Sequence, residues 1–383
     1  MSKNSFKNQY HSCHLGDLPK GCQYCVQGQK LVLFVTGICP RNCAFCPVSD
    51  QKYQQDVSYA NERKVFSFQD VLAEAKLMDA KGAGITGGDP LAKLERTLEY
   101  IKSLKKEFGS EFHIHLYTSL NLVTEKTLQQ LFQAGLDEIR FHLDLDDQKL
   151  WDKLKLALNY IWDVGVEVPS IPSKKEELKT LIDFIEKTNN QTETNQIKFL
   201  NLNELETADT EHYKLNLETK DQLSYAIKGS LELGLELLNY VQAKNLSLNV
   251  HLCTAKLKDK IQLSERIKRE AKGTKHSFDF VDQEGMLTRG ALYLPELKPG
   301  FEYRKKLEQN NDAILDQLEL SLTKIKKKFP KEEFYLDTSK PRILCSRKLA
   351  KKKKNFFINL GLIPAIVIEY PTADQLEIEV EFL

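Results

Sequence analysis

Seven short runs rich in β-branched and aromatic residues alternate with longer stretches of helical periodicity, and this alternation limits the fold more than any other feature. The runs are LVLFVT from 31, GIT from 84, FHIHLYT from 112, EIRFHLDL from 138, GVEVP from 165, IKFLNLN from 197 and LSLNVHL from 246. Between them, Leu94, Leu98, Ile101, Leu104 and Phe108 recur on one helical face. Ser67, Thr124 and Ser173 stand where helices should start, and Gly82, Gly109 and Gly135 where they should stop. Repeated strand–helix units link parallel strands, so an α/β chain is expected, with a full or partial (β/α) barrel over residues 30–256. In such a barrel the chemistry gathers where strands end.

The segment TGICPRNCAFCPVSD, residues 36–50, directly follows the first run and places Cys39, Cys43 and Cys46 in a CxxxCxxC pattern. Thiolates so spaced can hold three irons of a [4Fe–4S] cube and leave the fourth open to a substrate or cofactor. The competing reading is a zinc site or three unrelated buried thiols, although zinc knuckles favour CxxC pairs with a fourth ligand nearby. A second set lies upstream in CHLGDLPKGCQYC, where Cys13, Cys22 and Cys25 are candidates for zinc or a second iron–sulfur cluster, with His11, His14 or Cys345 to complete four ligands. Residues 1–29 thus form a Cys-rich N-terminal segment. Because it precedes the first strand, this set is expected at the end of the barrel opposite the first, in a structural role. Cys253 and Cys345 stand alone and are expected as buried apolar residues.

Taken together, CxxxCxxC, Phe45 before its third cysteine, and the Gly87, Gly88 and Asp89 of TGGDPL resemble the radical S-adenosylmethionine (SAM) enzymes. The stretches LVLFVTGICPRNCAFCPVSD and GITGGDPL are most similar to uncharacterised, mainly archaeal members related to pyruvate formate-lyase activating enzyme. The resemblance implies a radical SAM-type barrel with a site-differentiated [4Fe–4S] cluster on Cys39, Cys43 and Cys46. It also implies reductive cleavage of SAM to a 5′-deoxyadenosyl radical that abstracts hydrogen from substrate. Gly87, Gly88 and Asp89 would receive the methionine amino group: glycines let backbone approach a ligand, and oxygens accept from an ammonium. Here the acid is Asp where relatives more often have Glu. By their places on strands, Thr118 and Ser119, then Arg140 or His142, and Asn201 with Asn203 would line the ribose, carboxylate and adenine of the cofactor. The implied partners are an external one-electron donor of flavodoxin or ferredoxin type and a substrate, unknown and potentially macromolecular. Glycyl-radical activation, RNA modification and modification of a small metabolite or lipid all remain open. From another class, a non-catalytic iron–sulfur or zinc protein for electron transfer or partner binding is disfavoured by the Gly-Gly-Asp motif, since an electron carrier needs no site for a cofactor amine.

Composition narrows the setting. Lysine and arginine total 55 against 54 acidic residues, so no global field draws the chain to nucleic acid or an anionic membrane. The N-terminus has no apolar leader and the longest apolar runs are too short to span a bilayer, so a cytoplasmic protein without membrane attachment is expected. Residues 257–383 read as a small α+β domain: a basic helix at SERIKREAKG, a hairpin at FDFVDQEGMLTRGALYL, a polar helix from 305 to 328, and two final strands. The run RKLAKKKKNFF invites an RNA-binding reading, against which stands a helix with solvated lysines and Leu349, Phe356 and Phe357 turned to the core.

Overall fold

A computed structural model describes residues 8–192, 195–308 and 312–383, and divides the chain into two compact units, Met1–Arg266 and Ile267–Leu383. In the first unit the strands are β1 (Cys13–Leu15), β2 (Lys30–Phe34), β3 (Ser58–Ala60), β4 (Arg63–Val65), β5 (Gly82–Thr86), β6 (His113–Ser119), β7 (Glu138–His142), β8 (Asp163–Ser170), β9 (Ile197–Glu204) and β10 (Asn249–Cys253). They form one sheet in the order β1-β10-β9-β8-β7-β6-β5-β2-β3-β4. Neighbours from β2 through β5 to β10 are parallel, while β1 joins β10, β3 joins β2 and β4 joins β3 antiparallel. Each of the seven expected runs is a strand of the parallel array, the arrangement of a partial barrel.

Helices α1 (Lys20–Cys25), α2 (Phe68–Leu77), α3 (Leu94–Phe108), α4 (Glu125–Ala134), α5 (Lys175–Asn189) and α6 (Ser230–Ala243) complete the main elements of this unit. Ser67 closes a capping box at α2, Thr124 accepts from the Thr127 amide at α4, and Gly135 ends α4 in the left-handed region. Two expected boundaries differ. Gly82 is the first residue of β5, where its lack of a side chain admits the His113 carbonyl and Lys30, and α2 has already ended at Met78. Ser173 lies inside a short 3-10 turn, Pro172–Lys174, so α5 starts at Lys175.

The two faces of the sheet divide by chemistry. On β6, Ile114 and Leu116 join the apolar core with Leu31, Leu33, Ile85, Ile139, Phe141, Val164 and Val166, against helical residues such as Ile101, Leu104, Leu128 and Leu131. Each such side chain contributes about 1.5–3 kcal/mol by leaving water. The alternate residues His113, His115 and Tyr117 share the other face with Lys30, Glu138, Arg140, Glu167, Asn201 and His251, and most of these are also buried. The inside of the barrel is therefore polar, and its groups must satisfy one another.

In the second unit, β11 (Phe280–Val281), β12 (Leu287–Tyr293), β13 (Tyr335–Asp337), β14 (Arg342–Cys345), β15 (Ile363–Glu369) and β16 (Glu377–Phe382) form an antiparallel sheet ordered β13-β14-β12-β15-β16, with β11 on β12. Leu318, Leu322 and Ile325 of helix Asp312–Lys328 pack with Ile343, Cys345, Leu349 and Phe357, so Cys345 has the apolar role expected. Elsewhere in this unit the fully buried Arg289 and Arg342 are paired with Asp279, Asp337 and Glu369. In the lysine run, Lys351 pairs with Glu381 at 3.3 Å and Lys353 lies over the Phe329 ring, while Leu349 and Phe357 are buried.

Candidate active site

The three cysteines of CxxxCxxC sit on the loop that leaves β2, and the loop is stitched to the end of β5 by backbone alone. Thr36 accepts from the Gly88 amide at 2.7 Å, Ile38 from the Asp89 amide at 2.9 Å, and Thr86 from the Val35 amide at 2.9 Å. A Cβ on Gly88 would lie 2.5 Å from the Gly37 oxygen and 2.6 Å from the Ile38 oxygen, so the second glycine of the motif is required by close approach to the cysteine loop. Gln54 brackets Cys39, accepting from its amide at 3.3 Å and donating to its carbonyl at 2.9 Å.

Cys39, Cys43 and Cys46 are half-buried and carry free thiols. Burial raises all three, and Asp89 and the other two cysteines help to push Cys39 up to about 11. The Arg41 amide donates to the Cys39 sulfur at 3.4 Å, and the Val48 amide to that of Cys46. A soft cation that holds thiolates would relieve this arrangement, because each sulfur resists ionisation alone yet two already receive N–H donors. The donor set fits a polynuclear cluster.

Asp89 is wholly buried, and its carboxylate is engaged within the protein. It accepts from Thr118 Oγ1 (2.8 Å), Ser119 Oγ (2.7 Å), the Ser119 amide (3.1 Å) and the Leu91 amide (3.0 Å). Burial raises its pKa against these four donors. The side chains of Asp89, Thr118 and Ser119 thus brace the end of β5 to the end of β6, and what this turn presents outward is backbone.

Arg140 and Asn201 are brought together below that turn. Arg140 meets Glu138 at 2.5 Å, Glu167 at 2.8 Å and the Tyr117 hydroxyl at 3.1 Å, and Glu167 also accepts from Asn201 at 2.8 Å and Asn203 at 3.0 Å. Burial alone would raise Glu167, but Arg140, Asn203 and Asn201 hold it below its usual range. His142 adjoins this network through a hydrogen bond to the Glu167 backbone. It stands at the end of β7 with its ring 5.5 Å from that of Phe45, and burial, aided by Arg41, holds it down to about 4. It is therefore neutral near pH 7.

The upstream cysteines are divided. Cys13 lies in the apolar core beside Leu252, its register partner on β10, whereas Cys22 and Cys25 are carried into the barrel on α1, which packs on β2, β5 and β6. Gly21 makes this possible, since a Cβ there would sit 2.5 Å from Arg140 Nη2 and 2.8 Å from His115 Nδ1. Gly21 and Tyr24 of α1 meet Glu138 and His113 at the starts of β7 and β6, the end of the barrel opposite the CxxxCxxC loop, and from there Cys22 reaches inward to accept from Arg140 at 3.5 Å and Asn201 at 3.4 Å. Cys253 departs from expectation: it is half-buried, and burial above all, with the Cys22 and Cys25 thiols adding to it, raises its thiol well above the ordinary value.

Three contributors had escaped sequence reading. Arg41 ties the cysteine loop to β7, donating to the His142 carbonyl at 3.0 Å and pairing with Asp144 at 3.0 Å. Glu167 left a signal as the single charge in the run GVEVP. The long connection after β9 folds back onto the cysteine loop: the Lys214 amide donates to Ala44 at 2.7 Å, the Glu211 amide to Asp50 at 3.0 Å, and His212 stacks on Tyr53 at 3.8 Å. Phe45 packs there with Ile171, Leu205 and Ile227.

Residues 33–163 match the model of the Radical SAM superfamily. A Methanocaldococcus jannaschii protein, provisionally named a glycyl-radical enzyme activating enzyme, is 37% identical over 375 residues, 94% of this chain and 92% of that protein. The chain belongs to the radical SAM superfamily. As a radical SAM enzyme it implies a [4Fe–4S] cluster and S-adenosylmethionine. A biotin synthase of Coxiella burnetii is 33% identical over 115 residues, 28% of this chain and 33% of that enzyme. Streptococcus suis SuiB bound to precursor peptide SuiA superposes with a TM-score of 0.43 at 14% identity, covering 64% of this chain and 56% of that one. Among the described residues no helix is long and apolar enough to cross a membrane.

Proposed function

We propose that this radical SAM enzyme abstracts a hydrogen atom from a polypeptide, with a backbone glycine of a partner protein as its target. The observation that carries the choice of substrate is the 37% identity, over 94% of the chain, to a protein named for glycyl-radical enzyme activation. Cys39, Cys43 and Cys46 hold the cluster, and the backbone of Gly87, Gly88 and Asp89, with Thr118 and Ser119 behind it, borders the cofactor. When bound, cluster and cofactor supply one-electron reductive cleavage of the sulfonium, with the electron taken from an external donor protein of flavodoxin or ferredoxin type. The chain's own part is to position and to exclude water. Arg41, fixed by Asp144 and the His142 carbonyl, sets the cysteine loop against β7. Phe45, with Ile171, Leu205 and Ile227, makes an apolar cover beside it, which protects a reactive species from solvent. Neutral His142 adds no charge next to the cover. The cytoplasm, where thiols stay reduced, suits these free cysteines.

The substrate is tested by supplying the reduced, reconstituted enzyme with dialysed, RNase-treated protein from cells grown on α-deuterated glycine. Deuterium transferred into 5′-deoxyadenosine is the expected result. 5′-Deoxyadenosine formed without deuterium, or formed only when RNA is restored, would overturn the glycine assignment.

A further inference from the structure

The proposed function uses none of the thiols inside the barrel. Cys22 and Cys25 are one helical turn apart on α1, so both can face one ligand. Cys253, at the end of β10, lies two residues after His251 and so on the same face of the sheet, and His251 is the register partner of Asn201, which donates to the Cys22 sulfur at 3.4 Å. Thiols in three half-buried or buried positions, drawn from a helix and a strand more than 220 residues apart, are not needed to fill an apolar core, because this face of the sheet is polar.

Unpartnered polar atoms mark the same region. His251 is 1% exposed and Asn201 is 2% exposed, and they are register partners on adjacent strands. Asn201 donates to the Cys22 sulfur while its Oδ1 has no partner, and His251 leaves Nδ1 without one. The other imidazole nitrogen, Nε2, faces Ser12 Oγ at 3.3 Å, the kind of contact that fixes the ring of a ligating histidine. His115 Nδ1, also buried and unpartnered, faces Gly21 beside Cys22. A buried, orphaned acceptor costs free energy unless something fills its place.

We propose that Cys22, Cys25 and Cys253 hold a second iron–sulfur cluster inside the barrel, with His251 Nδ1 as the fourth ligand. Donor chemistry selects the class. Thiolate and imidazole suit zinc or iron–sulfur groups. The N–H groups of Arg140 and Asn201 directed at the Cys22 sulfur are the contacts that stabilise a cluster's reduced charge and set its potential. Cys13 has no part in it, being in the apolar core.

The test removes the radical-site cluster first, which makes it independent of the proposed function. The variant Cys39→Ala/Cys43→Ala/Cys46→Ala is purified anaerobically, supplied with iron and sulfide, and assayed for bound iron, acid-labile sulfide, zinc and the electron paramagnetic resonance of the dithionite-reduced state. It should keep iron and sulfide in equal amounts and show a signal. Adding Cys253→Ser to that background should lower the iron at least severalfold, with far-UV circular dichroism unchanged, and adding Cys22→Ser and Cys25→Ser should abolish it. A triple variant that binds no iron, one that binds zinc without sulfide, or retention of the iron after Cys253→Ser would each overturn the proposal.

Discussion

At the scale of single residues, the site depends on buried charges that face each other. Arg140 neutralises Glu138 and Glu167 at once, all three lying inside the barrel. Arg140→Met should therefore strand two carboxylates and lower stability by about 3–5 kcal/mol, as seen by urea denaturation, whatever its effect on cofactor binding. Asp89→Asn keeps the shape but turns an N–H₂ toward donors from Ser119, Thr118 and Leu91, and should cost about 1.5–3 kcal/mol in the same measurement. Lys30 gives a pH dependence. Burial holds it down to about 7, so between pH 7 and the ordinary lysine value of 10.5 the unfolded chain binds a proton that the folded one has released. Its contribution makes stability rise with pH across that window. Lys30→Met should remove this part of the rise, read as the difference between the two proteins in urea melts at several pH values.

At the scale of elements, a strand could be read from sequence where β-branched or aromatic residues gathered between helical stretches, and all seven parallel strands were read so, β5 from the short run GIT. The three-residue strands β1, β3 and β4 were not, because a hydrogen-bonded edge needs no side-chain pattern of its own. Cys39, Cys43, Cys46 and the Gly87–Gly88 pair could be read because their spacing is local. The barrel interior could not, since Cys22, Arg140, Glu167 and Asn201 are far apart in the chain and meet only after closure. Asp89 shows the same limit: its position in the motif was evident, while its four donors come from β6 and the turn after β5. The packing of cysteine loop on glycine turn leads to a prediction. In a Cys22→Ser/Cys25→Ser/Cys253→Ser background, Gly88→Ala, with its Cβ directed at the Gly37 and Ile38 oxygens, should fold yet bind several times less iron after reconstitution, measured by colorimetric assay.

At the scale of the molecule, each of the two units closes its own core, the first around its parallel sheet and the second around Phe357, Leu318 and Ile343. Phe357→Ala should cost the second unit about 3–5 kcal/mol and lower its melting transition in calorimetry, while the transition of the first unit stays in place. The whole account rests on the first unit's generating radicals from S-adenosylmethionine. The direct test is anaerobic, iron-reconstituted protein reduced with dithionite and mixed with S-adenosylmethionine, with 5′-deoxyadenosine followed by chromatography. The account predicts 5′-deoxyadenosine from the wild type and none from Cys43→Ala. Equal yields from the two proteins, or none from a wild type whose cluster is fully loaded and reduced and to which the partner polypeptide has been added, would contradict it.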